Sequence, residues 1–481
     1  MRVLFLSTYE LGHQPLQLAS LAAVAGAAGH DVRAVDLSVD ELSAAGAAWA
    51  DAVVLSVPMH TALLLALQVL GRIRSERPGL RAALCGLYAP VAAGNPLLSR
   101  DDLLAAGAPA RALLEWLEAV AALRDGAREP VVDLGPLRPL PGPLPLRNLL
   151  PPLQRYARLV NGTAAPGDGR VVASTATTFG CNHRCRHCPV ASVFRGRSRI
   201  VDHEAVMADI EQLVAAGAEH ISFADPDFLN RPAHALSIAR SLHGRWPELS
   251  FDATVKVEHV LRHRAGCREL SALGLVFVVS AFESRDDRVL SLLHKGHTAL
   301  DELDALAVLR GFGLELRPSW LPFTPWTTLE SVAEILTFTA EQDLVWSTDA
   351  VQLSIRLLLP QGSLLLEDPD PELRASLGSL DAATGSVAWR SADPSLDELQ
   401  SRLAEAAERA GAEALSPDDA FGLIWSIARD AGAPLGRNVP APVTAAPLPG
   451  SKRPRLTESW FCCAEPTAAQ LVAVGGRPTQ T

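Results

Sequence analysis

Short apolar runs alternate with amphipathic stretches over the first 125 residues of the chain. The runs predict strands and the stretches predict helices, which gives strands Arg2–Ser7, Asp31–Asp36, Ala52–Val57 and Arg81–Cys85 and helices Leu16–Ala28, Thr61–Ser75 and Leu113–Leu123. Buried strands separated by helices indicate parallel βαβ units. We therefore predict an α/β fold that begins with a doubly wound parallel sheet, and such sheets bind ligands beyond the carboxyl ends of their strands.

The same alternation returns between residues 170 and 370. Six strands are predicted here: 171–178, His220–Ala224, Phe251–Val255, Val276–Ala281, Leu314–Pro318 and Ala350–Leu357. Five helices are predicted between them: Asp202–Ala216, Ala233–Leu242, Leu261–Leu273, Leu300–Gly311 and Leu329–Gln342. This pattern again indicates parallel βα units, whose functional end in barrels is the end where the strands finish.

The rest of the chain divides into a connector and a C-terminal region. Prolines in the connector suppress helices and strand ladders, at Pro130, Pro136, Pro139, Pro141, Pro143 and Pro145. Two predicted helices, Leu396–Ala410 and Asp418–Ala431, indicate a small helical region, and a proline- and alanine-rich extended tail follows it. The expected domains are 1–125, 126–169, 170–370, 371–433 and 434–481.

Composition and charge narrow the function classes. The 481 residues carry a net charge of −11 without a basic block, which argues against a nucleic-acid groove. No apolar stretch approaches the length that crosses a bilayer, and the first strand starts too early for a signal peptide. The seven cysteines are odd in number and mostly clustered, so we expect a reducing cytoplasm and no disulfide scaffold.

Three cysteines follow the first strand of the second module. Cys181, Cys185 and Cys188 have the spacing C-x3-C-x2-C. Three thiolates leave one iron of a four-iron cluster without a protein ligand, and that iron is free to bind a substrate or cofactor. A zinc site with His183 or His187 as the fourth ligand is the alternative. Zinc motifs usually come as two cysteine pairs, and because no second pair follows, an iron–sulfur cluster is favoured.

This cysteine run resembles the cluster motif of the radical S-adenosylmethionine (SAM) enzymes. The resemblance implies a [4Fe–4S] cluster whose fourth iron chelates SAM, and reductive cleavage of SAM to methionine and a 5′-deoxyadenosyl radical. It also implies a low-potential electron donor such as a flavodoxin or ferredoxin. The six predicted strands match the partial (β/α)6 barrel of that family. His187 stands where the family usually has another aromatic residue.

The strand ends supply further SAM contacts by resemblance. Asp225 and Asp227 stand where the family has its Gly-Gly-Glu segment, although either acid also suits a helix cap. Ser280 and Glu283 resemble the Gly-x-Glu-Ser element of the fourth strand, with Glu283 expected at the SAM ammonium or ribose. Arg356, in the last predicted strand, has a planar fork that suits the SAM carboxylate, with a surface ion pair as the alternative.

The order of the two modules resembles the class B radical SAM proteins, whose N-terminal domain binds cobalamin. By that resemblance Ser56 and Thr61 stand near the cobalamin tail. Three departures are present: Cys85-Gly86-Leu87-Tyr88 replaces a double glycine, residues 106–109 replace Gly-Glu-Gly-Glu, and no D-x-H-x-x-G is present. Two interpretations of the N-terminal domain therefore stay open. It either binds cobalamin or is a related domain that has lost cobalamin.

The tail carries two adjacent cysteines in Cys462-Cys463-Ala464-Glu465-Pro466. Adjacent thiols form only a strained disulfide ring, which favours redox or metal chemistry over a structural bridge. The segment resembles the ending of the CUAEP/CCAEP-tail radical SAM proteins, some of which carry selenocysteine at the second position. The resemblance implies that Cys463 is reactive, with Cys462 beside it. An unstructured end with two incidental cysteines is the alternative.

Together these patterns predict a cytoplasmic radical SAM enzyme with a [4Fe–4S] cluster, SAM and, as an open alternative, cobalamin-dependent methyl transfer. The expected partners are an unspecified small-molecule or peptide substrate and the electron donor, with no nucleic acid and no membrane. The alternative function is an iron–sulfur or zinc protein that senses redox state without SAM chemistry.

Overall fold

A computed structural model describes residues 1–123, 129–135, 142–162, 167–443 and 453–475. Pro136, Pro139 and Pro141 of the predicted connector lie outside the described residues.

The N-terminal module is a six-stranded parallel sheet with strand order β2-β1-β3-β4-β5-β6. Its elements are β1 Arg2–Ser7, α1 Leu16–Ala27, β2 Asp31–Asp36, α2 Ala44–Trp49, β3 Ala52–Ser56, α3 His60–Glu76, β4 Arg81–Cys85, β5 Leu103–Gly107, α4 Ala110–Ala121 and β6 Val131–Asp133. Apolar clusters cover both faces of the sheet, as a doubly wound fold requires. The predicted strands are confirmed, whereas β5, β6 and α2 were not predicted. The β5 run Leu-Leu-Ala-Ala-Gly is too short for its periodicity to separate strand from helix.

A short strand and the barrel follow the connector. The elements are β7 Arg158–Asn161, β8 Arg170–Thr175, β9 Thr178–Gly180, α5 Pro189–Phe194, β10 Ser198–Ile200, α6 His203–Ala215, β11 His220–Phe223, α7 Pro232–Arg245, β12 Ser250–Thr254, α8 Val257–Arg262, α9 Arg264–Ala272, β13 Leu275–Glu283, α10 Asp287–Leu292, α11 Ala299–Gly311, β14 Glu315–Trp320 and α12 Leu329–Glu341. Strands β8 and β11 to β14 are parallel neighbours in one curved sheet. The partial barrel is confirmed.

The predicted sixth strand, Ala350–Leu357, is not a regular strand. Its first half, Ala350–Leu353, forms a 3₁₀ turn, and a single parallel bridge joins Phe323 to Arg356. The Gln352 side chain accepts a 3.2 Å hydrogen bond from the Trp320 amide. The backbone amide at the end of β14 is therefore bonded to a side chain and not to the backbone of a sixth strand.

The C-terminal region combines helices, a hairpin and a returning tail. Its elements are α13 Leu364–Glu367, α14 Pro371–Ser376, β15 Leu377–Asp381, β16 Ser386–Trp389, α15 Pro394–Ala412, α16 Pro417–Asp430, β17 Pro454–Leu456 and α17 Ala468–Ala473. The antiparallel hairpin β15–β16 was not predicted in the helical region. Strand β17 pairs antiparallel with β7 and so adds the tail to the barrel sheet.

The two modules meet at the carboxyl ends of their strands. An apolar cluster joins Ala106 and Leu87 of the N-terminal sheet to Val190 and Phe194 beside the cysteine loop. A buried ion pair between Arg147 and Asp209, 2.8 Å apart, ties the connector to helix α6. Among the described helices, none combines the length and the apolar character that a membrane crossing demands.

Candidate active site

The three clustered cysteines lie beyond the carboxyl end of β8, on the loop between β9 and α5. Gly180 precedes them with φ +76°, and a Cβ there would lie 2.4 Å from the Arg197 carbonyl oxygen, so this turn requires glycine. The Asn230 side chain accepts a 3.0 Å hydrogen bond from the Asn182 amide and holds the loop.

The thiols fit a cation-binding site. Cys181 and Cys185 are buried, and burial together with the Cys185 thiol raises the pKa of Cys188 to about 12. The ammonium of Lys256 lies 3.7 Å from the Cys185 sulfur. Metal binding deprotonates such thiols, and three thiols on one loop beside a positive charge form a donor set whose chemistry suits an iron–sulfur cluster.

Glu283 connects the cysteine loop to the fourth parallel strand of the barrel. Its carboxylate lies 3.1 Å from His187 Nε2 and 3.1 Å from Lys295 Nζ. Burial alone would raise the pKa of this carboxyl, but Lys295 and His187 hold it well below its usual range. Glu283 has φ +69°, a conformation that costs a side-chain-bearing residue about 1–3 kcal/mol and clusters at functional sites.

The two acids after β11 have different surroundings. Asp225 accepts hydrogen bonds from the Thr177 amide and from the hydroxyls of Thr177 and Thr178, at 2.9, 2.7 and 2.6 Å. It therefore fixes the turn between β8 and β9, and burial raises its pKa to about 6. Asp227 lies 2.7 Å from His259 Nδ1 and 3.5 Å from His183 Nε2, so it faces the cysteine loop.

Asp227 also caps a short turn, because its carboxylate accepts a 3.2 Å hydrogen bond from the Leu229 amide. Ser280 lies at the barrel end but donates a 2.8 Å hydrogen bond to the Val255 carbonyl. Both side chains therefore have structural partners.

Arg356 forms the ion pair that the sequence offered as the alternative. Its guanidinium lies 2.6 Å from the Asp397 carboxylate, donates to the Trp389 carbonyl at 2.8 Å and covers the Trp389 ring at 3.6 Å. These contacts engage both ends of the planar fork. The geometry favours the ion pair, and the contact of Arg356 with the SAM carboxylate stays a prediction.

The two residues predicted near a cobalamin tail are bonded within the chain. The Ser56 hydroxyl donates to the Gln17 side chain at 3.2 Å. The buried Thr61 hydroxyl donates to the Ala464 carbonyl at 2.8 Å, which brings the C-terminal motif to the carboxyl edge of the N-terminal sheet.

The adjacent tail cysteines lie between the two modules. Their sulfur atoms are 3.6 Å apart. The hydrogen bond with Cys462, burial and the nearby Glu283 carboxylate all raise the pKa of Cys463. Burial raises the pKa of Tyr88, and the thiols of Cys463, Cys462 and Cys188 raise it further. Tyr88 therefore lies within electrostatic reach of both cysteine groups, which are separated by nearly three hundred residues in the sequence.

A model of the radical SAM superfamily matches residues 175–335. The chain contains a radical SAM domain. The match starts at the last residue of β8 and includes the three cysteines, Asp225, Asp227 and Glu283.

The arrangement of the radical SAM domain and the N-terminal sheet is similar to that of two solved radical SAM enzymes with cobalamin bound. The radical SAM enzyme OxsB with aqua-cobalamin bound superposes with a TM-score of 0.65 at 14% identity, over 88% of this chain and 67% of that one. The methyltransferase TsrM from Kitasatospora setae, with cobalamin and a [4Fe–4S] cluster bound, superposes with a TM-score of 0.50 at 16% identity, over 69% of each chain. These likenesses establish the fold.

Two curated relatives match shorter segments. An uncharacterized methyltransferase from Pyrococcus horikoshii is 25% identical over 203 residues, 42% of each chain. A tRNA-2-methylthio-N(6)-dimethylallyladenosine synthase from Syntrophobacter fumaroxidans is 30% identical over 170 residues, 30% of this chain and 33% of its own. The chain thus spans less than half the length of either relative.

The sequence did not single out several groups at this site. Asn230, Tyr88 and His259 were not proposed, because each is a common residue type on an ordinary loop or helix. Lys295, in contrast, belongs to a Lys-Gly pair after the fourth strand, and the sequence of that pair resembles an element of the radical SAM family.

Proposed function

We propose that this protein is an enzyme that holds a [4Fe–4S] cluster with Cys181, Cys185 and Cys188 and uses it to cleave SAM reductively. The observation that carries the proposal is a single loop beyond the carboxyl end of β8 that carries three free thiols, within the segment that matches the radical SAM model. When bound, the cluster supplies the low-potential electron that splits SAM into methionine and a 5′-deoxyadenosyl radical.

The protein's own groups prepare the site for that chemistry. Lys256, close to Cys185, and Lys295, close to Glu283, place positive charge beside the thiols and offset part of the negative charge of three thiolates. Glu283 is available to accept a hydrogen bond from the SAM ammonium or ribose, since His187 and Lys295 keep it ionised. Asp225 and Asp227 hold the adjacent strand ends, and Asp227 faces the cysteine loop.

Cys463 is proposed as the thiol that acts on the substrate radical. Its S–H bond breaks homolytically, the hydrogen atom passes to the carbon radical, and a thiyl radical remains on Cys463. A flavodoxin- or ferredoxin-type donor, which also supplies the electron for SAM cleavage, then reduces the thiyl radical, and a proton restores the thiol. The substrate class in this proposal is a small molecule or a peptide. Methyl transfer through cobalamin is not part of this proposal, because Ser56 and Thr61, the two residues predicted near the cobalamin tail, already have partners in the chain.

Iron and sulfide analysis with EPR spectroscopy tests the cofactor assignment. The anaerobically reconstituted protein is expected to hold about four irons and four sulfides, to show a reduced-cluster signal that SAM alters, and to release 5′-deoxyadenosine with dithionite. Stoichiometric zinc without iron would overturn the proposal in favour of a zinc-binding protein. An iron–sulfur signal that SAM leaves unchanged would favour a redox sensor.

The thiol role has its own test. Cys463→Ser is expected to retain cluster loading and 5′-deoxyadenosine formation while losing solvent-derived deuterium in the product once a substrate is identified. Cys267→Ser, in the barrel core, serves as the matched control. Unchanged deuterium incorporation in Cys463→Ser would refute the hydrogen-atom transfer and leave the cluster assignment intact.

A further inference from the structure

Residues 453–475, here named the tail strap, bridge the two modules. The strap begins as β17, paired antiparallel with β7 at the edge of the barrel sheet. It ends as α17, where Leu471 and Val474 are buried in the core of the N-terminal module. The guanidinium of Arg72 on α3 donates a hydrogen bond to the Val474 carbonyl at 3.3 Å. Both ends of the strap are therefore fixed, one on each module.

The middle of the strap crosses the carboxyl edge of the N-terminal sheet. Thr61 donates to the Ala464 carbonyl at 2.8 Å, and the buried His60 ring lies 3.0 Å from the Glu465 carboxylate. Ala464 is itself 6% exposed. These contacts come from the first two residues of α3, the helix that follows β3, and in doubly wound sheets this strand-to-helix junction lines the ligand crevice.

Trp460 fixes the path of the strap across the junction. Its side chain packs partly buried against the N-terminal core and also against the apolar cluster that contains Leu357 and Trp326. Its indole donates a 3.0 Å hydrogen bond to the Glu465 carbonyl, which closes the segment around the two cysteines into a compact turn. The cysteine segment is thus a packed element of the interface between the modules.

Several polar groups at this edge are bonded within the chain, whereas the buried Ser7 Oγ and Glu10 Oε2 atoms have no hydrogen-bond partner among the described residues. Besides Thr61 and His60, Ser56 bonds to Gln17 at 3.2 Å and Asp36 accepts a 2.9 Å hydrogen bond from the Tyr156 hydroxyl. A ligand that needs these groups therefore has to replace bonds that already exist, and polar groups without new partners carry a penalty.

We infer that the tail strap and cobalamin exclude one another at the carboxyl edge of the N-terminal sheet. The docked strap places a peptide with two thiols across the carboxyl edge, where doubly wound sheets bind their ligands. The fold is similar to that of OxsB with aqua-cobalamin bound. This inference does not depend on SAM cleavage, since it concerns only the sheet edge and its occupant. The apparent Kd for cobalamin equals the intrinsic Kd divided by the fraction of molecules whose strap is released.

Substitutions in the strap test the inference without altering the sheet edge. Glu465→Ala removes the partner of His60. Trp460→Ala removes the indole that packs against the apolar clusters of both modules. The Glu465 side chain is 70% exposed, so its loss leaves the cores intact. Glu413→Ala, at the end of α15 with 56% side-chain exposure, is the matched control. The full-length, cluster-reconstituted proteins are titrated with hydroxocobalamin and followed by the absorbance change and by calorimetry.

The strap variants are expected to bind hydroxocobalamin at least about tenfold more tightly than the wild type and the Glu413→Ala control. Alkylation by iodoacetamide, read by mass spectrometry, gives an independent measure of the strap. Saturating hydroxocobalamin is expected to speed the alkylation of Cys462 and Cys463 at least about fivefold in the wild type, because the bound cofactor releases the strap.

Three outcomes would overturn the inference. One is tight cobalamin binding by the wild type with both cysteines as protected as before. A second is equal affinity in the wild type and both strap variants. The third is that no variant binds hydroxocobalamin although the alkylation rates show that the strap is released. The strap would then not be what keeps cobalamin from the sheet edge. None of these outcomes bears on the iron, EPR or 5′-deoxyadenosine measurements that test the proposed function.

Discussion

The Thr61 hydroxyl donates a 2.8 Å hydrogen bond to the Ala464 carbonyl, although the two residues are 403 positions apart in the sequence. Thr61 is fully buried at the start of α3, and Ala464 follows the two tail cysteines. This bond fixes the cysteine segment at the junction of the N-terminal sheet and the radical SAM domain.

Thr61→Val should loosen the tail strap without changing the shape of the core. The variant removes one buried hydrogen bond, worth about 0.5–1.5 kcal/mol net. Amide exchange over residues 460–475 should therefore quicken about two- to tenfold, as measured by hydrogen–deuterium exchange mass spectrometry. Thr339→Val is the control, because that buried hydroxyl bonds within α12. Unchanged exchange would show that the bond does not hold the strap.

Cys185→Ala should abolish stable cluster loading. The variant leaves two thiols, and a four-iron cluster with one free iron needs three protein ligands. Iron and sulfide per chain are expected to fall at least about tenfold after reconstitution. Cys267→Ala is expected to load normally, since that buried cysteine packs in the barrel core. Equal loading of the two variants would contradict the ligand assignment.

Glu283→Gln should destabilise the radical SAM domain more than the double variant Glu283→Gln/Lys295→Met. The single change leaves the buried Lys295 ammonium without its carboxylate, at a cost of about 3–5 kcal/mol. The double change also removes that charge and should recover part of the loss. Urea unfolding of the four proteins of the cycle measures the coupling, and strictly additive effects would argue against the pair.

Arg147→Lys should weaken the attachment of the connector to the barrel. Arg147 binds both Asp209 oxygens, at 3.2 and 2.8 Å, and donates to the Ser174 carbonyl at 2.7 Å. An ammonium cannot reproduce this planar fork, so we expect a loss of about 1.5–3 kcal/mol in the free energy of unfolding. Arg429→Lys, at a partly exposed pair with Asp430, should cost under about 1 kcal/mol. Equal losses would show that the fork geometry is unimportant.

Glu10 should make the protein less stable as pH rises. Burial, reinforced by the Asp36 charge, raises the pKa of Glu10 to about 8, and its Oε2 atom has no hydrogen-bond partner within the described part of the chain. Because the folded pKa lies above the unfolded value, the contribution of Glu10 is complete below about pH 4.5 and is lost as pH rises towards 8.

Glu10→Gln keeps the neutral shape and removes this titration. The variant should raise the Tm relative to the wild type at pH 8.5 by about 2–4 °C and leave the difference near zero at pH 5, where both side chains are neutral. Differential scanning calorimetry at the two pH values measures it. A gain of the same size at both would assign the effect to packing.

The sequence predicted the parts of this protein that depend on local pattern. The first four strands followed from short apolar runs between helices, and the radical SAM motif followed from the spacing of Cys181, Cys185 and Cys188. Strand β5 was not predicted, because an apolar run of five residues has no distinctive period. The sixth strand was overpredicted because Gln352 bonds to Trp320 through its side chain, and periodicity carries no information on such partners.

The sequence by itself determined the order of the modules, the cysteine loop and the presence of a second thiol pair in the tail. Only the tertiary structure decided that Arg356 pairs with Asp397 and that Glu283 lies between His187 and Lys295. It also decided that the tail motif contacts the first residues of α3. The physical reason is that each of these relationships joins residues far apart in the chain. Whether such groups meet is set by how the two sheets and their helices pack, and no local pattern encodes that packing.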